Sequence, residues 1–254
     1  MDAGSKRRQE AAKLKQQASA AESRDRRIKL IGGGVVALVV VGIIAAGVIG
    51  AQSSKPQADP GNAIPTGVLS DTYGWPVKAI DDTKSTLVVY EDPQCPYCKM
   101  FEQAYSSTLK ELSDNGTVNV VFQMASFLDE KLPQSNQASR RAIGALGCAI
   151  DKGVGYEYHR LIYANQPADE GTGWSDDQLL ALGSAAGLSE TQYPSFADCV
   201  SAGTYLGWAD NAQKHFDDEQ IPGTPYIALD GKELPDSALA SISAFVDYIN
   251  QNKK

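Results

Sequence analysis

Cysteine and histidine are scarce in this 254-residue chain, which has four of the first, at 95, 98, 148 and 199, and two of the second, at 159 and 215. Only one Cys-x-x-Cys spacing occurs, so a zinc ribbon built from two such knuckles is excluded. A mixed metal site would have to recruit His159 or His215, and each reads more simply as a packing or surface residue. Neither a metal nor a cofactor is therefore expected. Positive charge is also lacking over most of the chain. Residues 1–30 hold nine Lys/Arg against four Asp/Glu, a net +5, whereas the remaining 14 basic and 27 acidic residues leave −13. A folded part so acidic argues against nucleic acid as a partner. No internal repeat is visible.

What is present begins with a 22-residue uncharged run, Leu30 to Ala51, "LIGGGVVALVVVGIIAAGVIGA". At about 1.5 Å per residue it spans roughly 33 Å as a helix, enough for a bilayer core. Arg24, Arg26, Arg27 and Lys29 flank its N-terminal side, and the positive-inside rule then puts the basic tail 1–29 in the cytoplasm and everything after 51 outside. A cleaved signal peptide competes with this anchor, but the apolar run is long for one and about 28 residues precede it. Residues 52–66, "QSSKPQADPGNAIPT", read as a linker, so the folded domain is expected from Gly67.

"STLVVYED" (85–92) has the nearly continuous apolar, β-branched character of a central strand. Phe101, Tyr105, Leu109 and Leu112 then recur at helical spacing, with "DNG" at 114–116 as the stop, and "TVNVVFQMA" (117–125) reads as a second strand. Residues 67–132 are thus a β-α-β first part of the core. Residues 133–220 are Ala- and Leu-rich with almost no strand signal, which predicts a helical insertion. The second part of the core, 221–254, contains a strand, an Asp-Gly turn and a return strand in "TPYIALDGKEL", and a closing helix in "SALASISAFVDYINQ".

The cysteines Cys95 and Cys98 sit where the first strand gives way to the first helix, in "EDPQCPYCKMF". A static bridge there would remove little chain entropy. A thiolate is favoured at a helix start by the free N–H groups and the positive end of the dipole, so Cys95 is expected to be acidic and Cys98, one turn further, to attack or resolve. Pro96 suits the first helical position. Tyr97 is a candidate for lining a substrate groove, and Glu91 or Asp92 for moving a proton to Cys98, against the plainer reading of a solvated or hydrogen-bonded carboxylate. Cys148 and Cys199 lie in two different expected helices outside the membrane and read as a structural disulfide, a second electron-relay pair being the rival. Trp75, Trp174 and Trp208 read as packing residues.

The segments "VVYEDPQCPYC", the helical insertion and "GTPYIAL" together resemble the DsbA-like thiol-disulfide oxidoreductases, in the membrane-tethered form of Gram-positive bacteria, over roughly residues 75–251. The resemblance implies an α/β fold: a thioredoxin-like core, with a central mixed sheet and flanking helices, an inserted all-helical subdomain and a single transmembrane helix ahead of it. It further implies Cys95 as the exposed nucleophile, Cys98 as the buried resolving thiol, and Pro225 as a cis-proline whose neighbour Thr224 presents its backbone to an extended substrate. The implied activity is disulfide formation in secreted or cell-envelope proteins, with a DsbB- or VKOR-like membrane partner to reoxidise the pair. An isomerase or reductase, and a membrane-anchored chaperone or binding module, remain alternatives; the last has no need of two thiols.

Overall fold

The computed structural model describes residues 63–169 and 171–254. The expected membrane segment 30–51 and most of the linker lie outside those residues. Among the described residues no helix is long and apolar enough to cross a membrane. The last expected linker residues already belong to the fold: Ala63 and Ile64 pack on the core, Pro65 is buried, and Thr66 N donates to Asp151 Oδ1 at 2.8 Å. The folded part therefore starts ahead of Gly67.

The described strands form one mixed sheet in the order β1-β3-β2-β4-β5. At its centre β2 (Thr86–Glu91) and β3 (Asn119–Met124) run parallel, with Thr86 opposite Asn119 and Glu91 opposite Met124. They are joined by α1 (Pro96–Asp114), whose buried stripe includes Cys98, Phe101, Glu102, Tyr105, Leu109 and Leu112. β4 (Tyr226–Leu229) lies antiparallel against β2. Asp230 and Gly231 then take positive φ of 49° and 77°, as a two-residue hairpin turn requires, and lead into β5 (Lys232–Glu233). β1 (Trp75–Pro76) pairs antiparallel with the outer side of β3 and was not expected from the sequence, because two residues carry no alternation and one is proline, which a strand accepts only at an edge.

Alternation along β2 sorts its side chains between two cores. Leu87 and Val89 join the larger one with Phe101, Tyr105 and Phe122, whereas Val88 and Tyr90 face Phe216. The chain between β3 and β4 forms α2 (Leu128–Lys131), α3 (Ala138–Asp151), α4 (Gly155–Ala164), α5 (Asp176–Ala185), α6 (Tyr193–Ser201) and α7 (Leu206–Asp218). α3 packs against α4, α6 and α7, and α4 also packs on α1 of the core. Gly147 of α3 leaves room for the residue that caps α7: a Cβ there would sit 2.8 Å from the Tyr205 ring. Trp208 is fully buried, with Nε1 donating to Tyr73 O at 2.9 Å, and Trp174 Nε1 donates to Asn165 O at 3.1 Å. The closing helix expected over 237–251 is divided. A 3-10 turn (Asp236–Leu239) precedes α8 (Ile242–Asn252), because Ser241 turns extended and its hydroxyl accepts from Ala244 N as an N-cap.

Cys148 of α3 and Cys199 of α6 form a disulfide across a sequence separation of 51. Replacing both with serine is expected to lower unfolding stability by about 4 kcal/mol, the chain-entropy value for a loop of that length. Denaturant titration of the oxidised proteins measures this, and thiol exchange at Cys95 and Cys98 is expected to persist wherever the variant remains folded.

Candidate active site

The end of β2 is held by one carboxylate. Asp92 is buried; its Oδ1 accepts from Gln94 N at 2.9 Å and from Ser139 Oγ at 2.5 Å, and its Oδ2 accepts from Leu128 N at 3.0 Å. Its carbonyl accepts from Cys95 N at 2.9 Å. Gln94 adds a side-chain bond to Asp129 Oδ1 at 2.8 Å, and Gln166 Nε2 donates to the carbonyls of Pro93 and Cys95 at 2.7 and 3.0 Å. The turn before the cysteines is thus tied at several points to the helical insertion. Burial raises the Asp92 carboxyl to about 7, against the bonds from Ser139, Leu128 and Gln94, which favour the anion. With both oxygens engaged, Asp92 positions this turn.

Cys95 is the N-cap of α1 (φ −71°, ψ 120°) and Pro96 opens the helix. Both cysteines are free; Cys98 is completely buried as expected, but Cys95, expected to be exposed, is only 5 % so, because the Thr224 carbonyl of the cis-proline loop lies against its sulfur. As a thiol, Cys95 donates to Thr224 O at 3.3 Å, and the Thr224-Pro225 bond is cis. The thiol of Cys95 is depressed from 9.0 to about 6. A hydrogen bond from Cys98 is the main cause; burial opposes it, while the Thr224 side chain and the backbone amides of Cys98 and Tyr97 assist. Cys98 moves the opposite way, raised well above 9.0 by burial, by its bond to Cys95, and by the charges of Glu91 and Cys95. One thiol is therefore a ready thiolate at neutral pH and the other is kept protonated. Beside Cys95 a cavity of about 560 Å³ is lined by Pro96, Tyr97, Met100, Phe127 and Leu128. Tyr97 and Met100 are 68 % and 63 % exposed, so this apolar surface is open to solvent.

Under the thiols lies a buried polar group that sequence reasoning did not assemble. Glu91, at the end of β2, is fully buried and 3.0 Å from Nε2 of His159 on α4. Glu102 of α1, 2 % exposed, faces the other ring nitrogen, with Oε2 3.7 Å from Nδ1. Phe122, Tyr163 and Trp75 surround the imidazole, with ring centroids at 4.2, 5.1 and 6.1 Å. Glu91 Oε1, both Glu102 oxygens and His159 Nδ1 make no hydrogen bond among the described residues, and the Tyr163 hydroxyl near Glu91 makes no well-formed one. Burial raises the Glu91 carboxyl well above its usual range, with the Cys95 charge adding to the effect. Glu102 is raised to about 8 by burial and then by Glu91, and burial lowers His159. The ligand atoms of Glu91, Glu102 and His159 lie within 4.8 Å of one another. The two ring nitrogens nevertheless point at different carboxylates, an arrangement unlike a chelate, in which one nitrogen and both carboxylates converge on an ion.

The fold thus gathers Cys95, Cys98, Pro96, Tyr97, Thr224 and Pro225 at one place, with Glu91 behind them and Asp92 turned to the insertion. His215, in the last turn of α7, and the Cys148–Cys199 bridge take no part. Glu102, His159, Tyr163 and Gln166 were missed. The signal for Glu102 was legible: an acidic residue four after Cys98, on the same stripe as Phe101 and Tyr105. His159 and Tyr163 were disguised by the aromatic run "YEYHRLIY".

A thiol depressed in the folded state stabilises the reduced domain most above the ordinary thiol value, and this contribution is lost as pH falls toward and through about 6. Thiolate absorbance of the reduced protein is expected to titrate with a midpoint near 6 and to lose that step in Cys95→Ser. A midpoint at 8 or above would contradict the geometry.

A thioredoxin family model matches residues 80–248, a stretch that takes in all four cysteines, the helical insertion and Pro225. Among solved structures, MdbA, a thiol-disulfide oxidoreductase from Actinomyces oris, aligns with a TM-score of 0.62 and 17 % identity over 79 % of this chain and 95 % of that one. Oxidised BdbD from Bacillus subtilis gives 0.56 and 20 % over 75 % and 98 %, and oxidised DsbA from Mycobacterium tuberculosis gives 0.55 and 24 % over 66 % and 82 %. At these identities the likeness is one of fold. The serine/threonine-protein kinase PknE of M. tuberculosis is 24 % identical over 153 residues, 56 % of this chain and 26 % of that protein. The chain therefore spans about a quarter of the length of the curated relatives it matches. With the model covering about two thirds of its residues, the chain belongs to the thioredoxin family, and its fold is that of the DsbA-like thiol-disulfide oxidoreductases.

Proposed function

We propose that the chain is a membrane-tethered, extracytoplasmic thiol-disulfide oxidoreductase that introduces disulfides into secreted or cell-envelope proteins through Cys95-Pro96-Tyr97-Cys98. The observation that carries this reading is the division between the two thiols, Cys95 depressed to about 6 and Cys98 raised, beside an open apolar cavity. The solved structures of similar fold include proteins described as thiol-disulfide oxidoreductases, which agrees with it. The uncharged run 30–51, its basic flank and the Cys148–Cys199 bridge support a location outside the membrane, where disulfides persist.

In the reaction, a client thiolate attacks Cys95 Sγ of the oxidised pair. The Cys95–Cys98 bond breaks, a mixed disulfide forms at Cys95, and Cys98 leaves as a thiolate that takes a proton from the buried acid Glu91. A second client thiolate then attacks the client sulfur of the mixed disulfide, and Cys95 leaves as a stabilised thiolate. Two electrons pass from the client to the pair, and a DsbB- or VKOR-like membrane partner removes them. The Thr224 backbone, beside Cys95, offers an extended client a strand-like contact, and Tyr97 and Met100 offer it apolar surface.

Stabilising the reduced form makes the pair more oxidising, by about 30 mV for each factor of ten in the equilibrium. Equilibration of the full chain with glutathione buffers is expected to give a potential above the roughly −270 mV of thioredoxin; a value at or below it would favour a reductase. Cys98→Ser is expected to accumulate client adducts on Cys95 in non-reducing gels, and Cys95→Ser to abolish turnover. Adducts on Cys98 in the Cys95→Ser protein would reverse the assigned roles.

A further inference from the structure

We propose that Glu91, His159 and Glu102 act as one proton-holding relay beneath the thiols, in which His159 carries the proton exchanged with Cys98 between Glu91 and Glu102. The proposal rests on the reading above and assigns the far end of its proton path. Its geometric basis is the placement of the ring, with Nε2 on Glu91 at 3.0 Å and Nδ1 toward Glu102 at 3.7 Å, about half an ångström beyond an ordinary hydrogen bond. A histidine placed only to fill space would not need a carboxylate at each nitrogen.

All three residues are buried, and among the described residues no Lys or Arg side chain is buried with them. The groups facing it are Cys98 from α1, the Cys95 charge at the start of that helix, and Tyr163, Tyr156 and Arg160 from α4; Trp75 of β1 and Phe122 of β3 contribute rings without charge. Arg160 lies toward the surface, bonded to Glu157 at 2.5 Å, and favours the anion of Glu102 alone among the three. Two buried carboxylates with no cation between them among the described residues cannot both be charged, and burial raises both acids and lowers the imidazole, so the resting group is two carboxylic acids and a neutral imidazole.

When Cys98 leaves as a thiolate, Glu91 gives it a proton and becomes the anion, close to the Cys95 charge that disfavours it. The Nε2 proton then passes to Glu91, and Glu102 passes its own to Nδ1. The sum is one proton gained by Cys98 and one lost by Glu102. The negative charge has moved from beside the thiols to Glu102, the member of the group whose anion the Arg160 charge favours. In the reverse direction Glu102, whose carboxyl lies at about 8, first gives up its proton to solvent, and the same path then carries the Cys98 proton back to it as that thiol attacks a mixed disulfide.

The test follows the second half of glutathione exchange in the full chain in detergent. The reduced protein is mixed with oxidised glutathione, quenched with acid, and the lifetime of the Cys95–glutathione adduct is read by mass spectrometry from pH 5 to 10. Glu102→Gln and His159→Gln are each expected to lengthen that lifetime at pH 7 by roughly 100-fold, the lower end of the range of general acid–base catalysis, with the effect shrinking as pH rises. The Cys95 titration near 6 is expected to remain. Adding either change to Glu91→Gln should bring no further slowing, as members of one path require. A Glu102→Gln protein with the wild-type lifetime and pH profile, while Glu91→Gln is slow, would end the relay at Glu91 and overturn the proposal, leaving the oxidoreductase reading intact. Failure of Cys98→Ser to trap any adduct would instead remove that reading.

A wild-type measurement covers variants that do not fold. The chain has only two histidines, so ring-¹⁵N labelling reports His159 against His215. The His159 nitrogen shifts are expected to differ between the oxidised and reduced proteins and to titrate with Cys98. Identical His159 signals in both states would overturn the proposal.

Discussion

Asp92 accepts hydrogen bonds from the start of its own turn, from the segment entering α2, and from the first residues of α3, so its buried carboxyl is a point at which sheet and insertion are fixed together. Removing such an acceptor would leave buried donors unpaired, at a cost of roughly 1–3 kcal/mol for each. The position of Cys95 depends on it directly, since the Cys95 amide closes the turn on the Asp92 carbonyl and the next residue begins α1. A helix that starts one residue earlier or later would present a different side chain to its unpaired amides. The low thiol value at Cys95 is therefore a consequence of where β2 ends, as well as of the cysteine itself.

Period-two geometry gives the adjacent acids different work. Leu87, Val89 and Glu91 project toward α1 and α4, whereas Val88, Tyr90 and Asp92 project to the opposite side. Glu91 is carried into the packed interior beside His159, with no cation next to it among the described residues, and burial holds its carboxyl well above the usual range. Asp92 is carried to a cluster of donors. Two neighbouring carboxyls that a sequence cannot distinguish are thus separated by one step of the pleat.

The parts of the fold legible from sequence were those with local causes. The apolar run of β2, the stripe Phe101–Tyr105–Leu109–Leu112, the stop at Asn115-Gly116 and the Asp-Gly reversal all follow from nearest neighbours in the chain, and each is found within a residue or two of its expected place. β1 was invisible because its two residues become a strand only when β3 offers an edge. The break before α8 was overlooked although Ser241 is a good N-cap, because alanine and serine around it continue a helical pattern. Of the site, the Cys-x-x-Cys pair and Thr224-Pro225 were readable as motifs. The contact of His159 with Glu91 was not, for it joins residues 68 apart and exists only once α4 has packed on α1 and the sheet.

That late assembly bears on why a costly buried group is kept at all. Three titratable side chains without hydrogen bonds at several of their polar atoms destabilise a fold, and an apolar replacement would fill the same space with less penalty. The cost is tolerable where the group can remain neutral, as two acids and an imidazole do in a cage of Trp75, Phe122 and Tyr163. Neutrality also makes the group useful to its neighbours. A permanent anion beneath Cys98 would oppose the negative charge that must appear on that sulfur, and a permanent cation would hold it there as a thiolate and make it a poorer attacking group. A protonated acid does neither, and in the reaction proposed above it supplies its proton once a thiolate forms beside it. The insertion is what makes this arrangement available: α4 brings in the imidazole and Tyr163, while Gln166, just beyond α4, bonds the carbonyls on either side of the turn into Cys95.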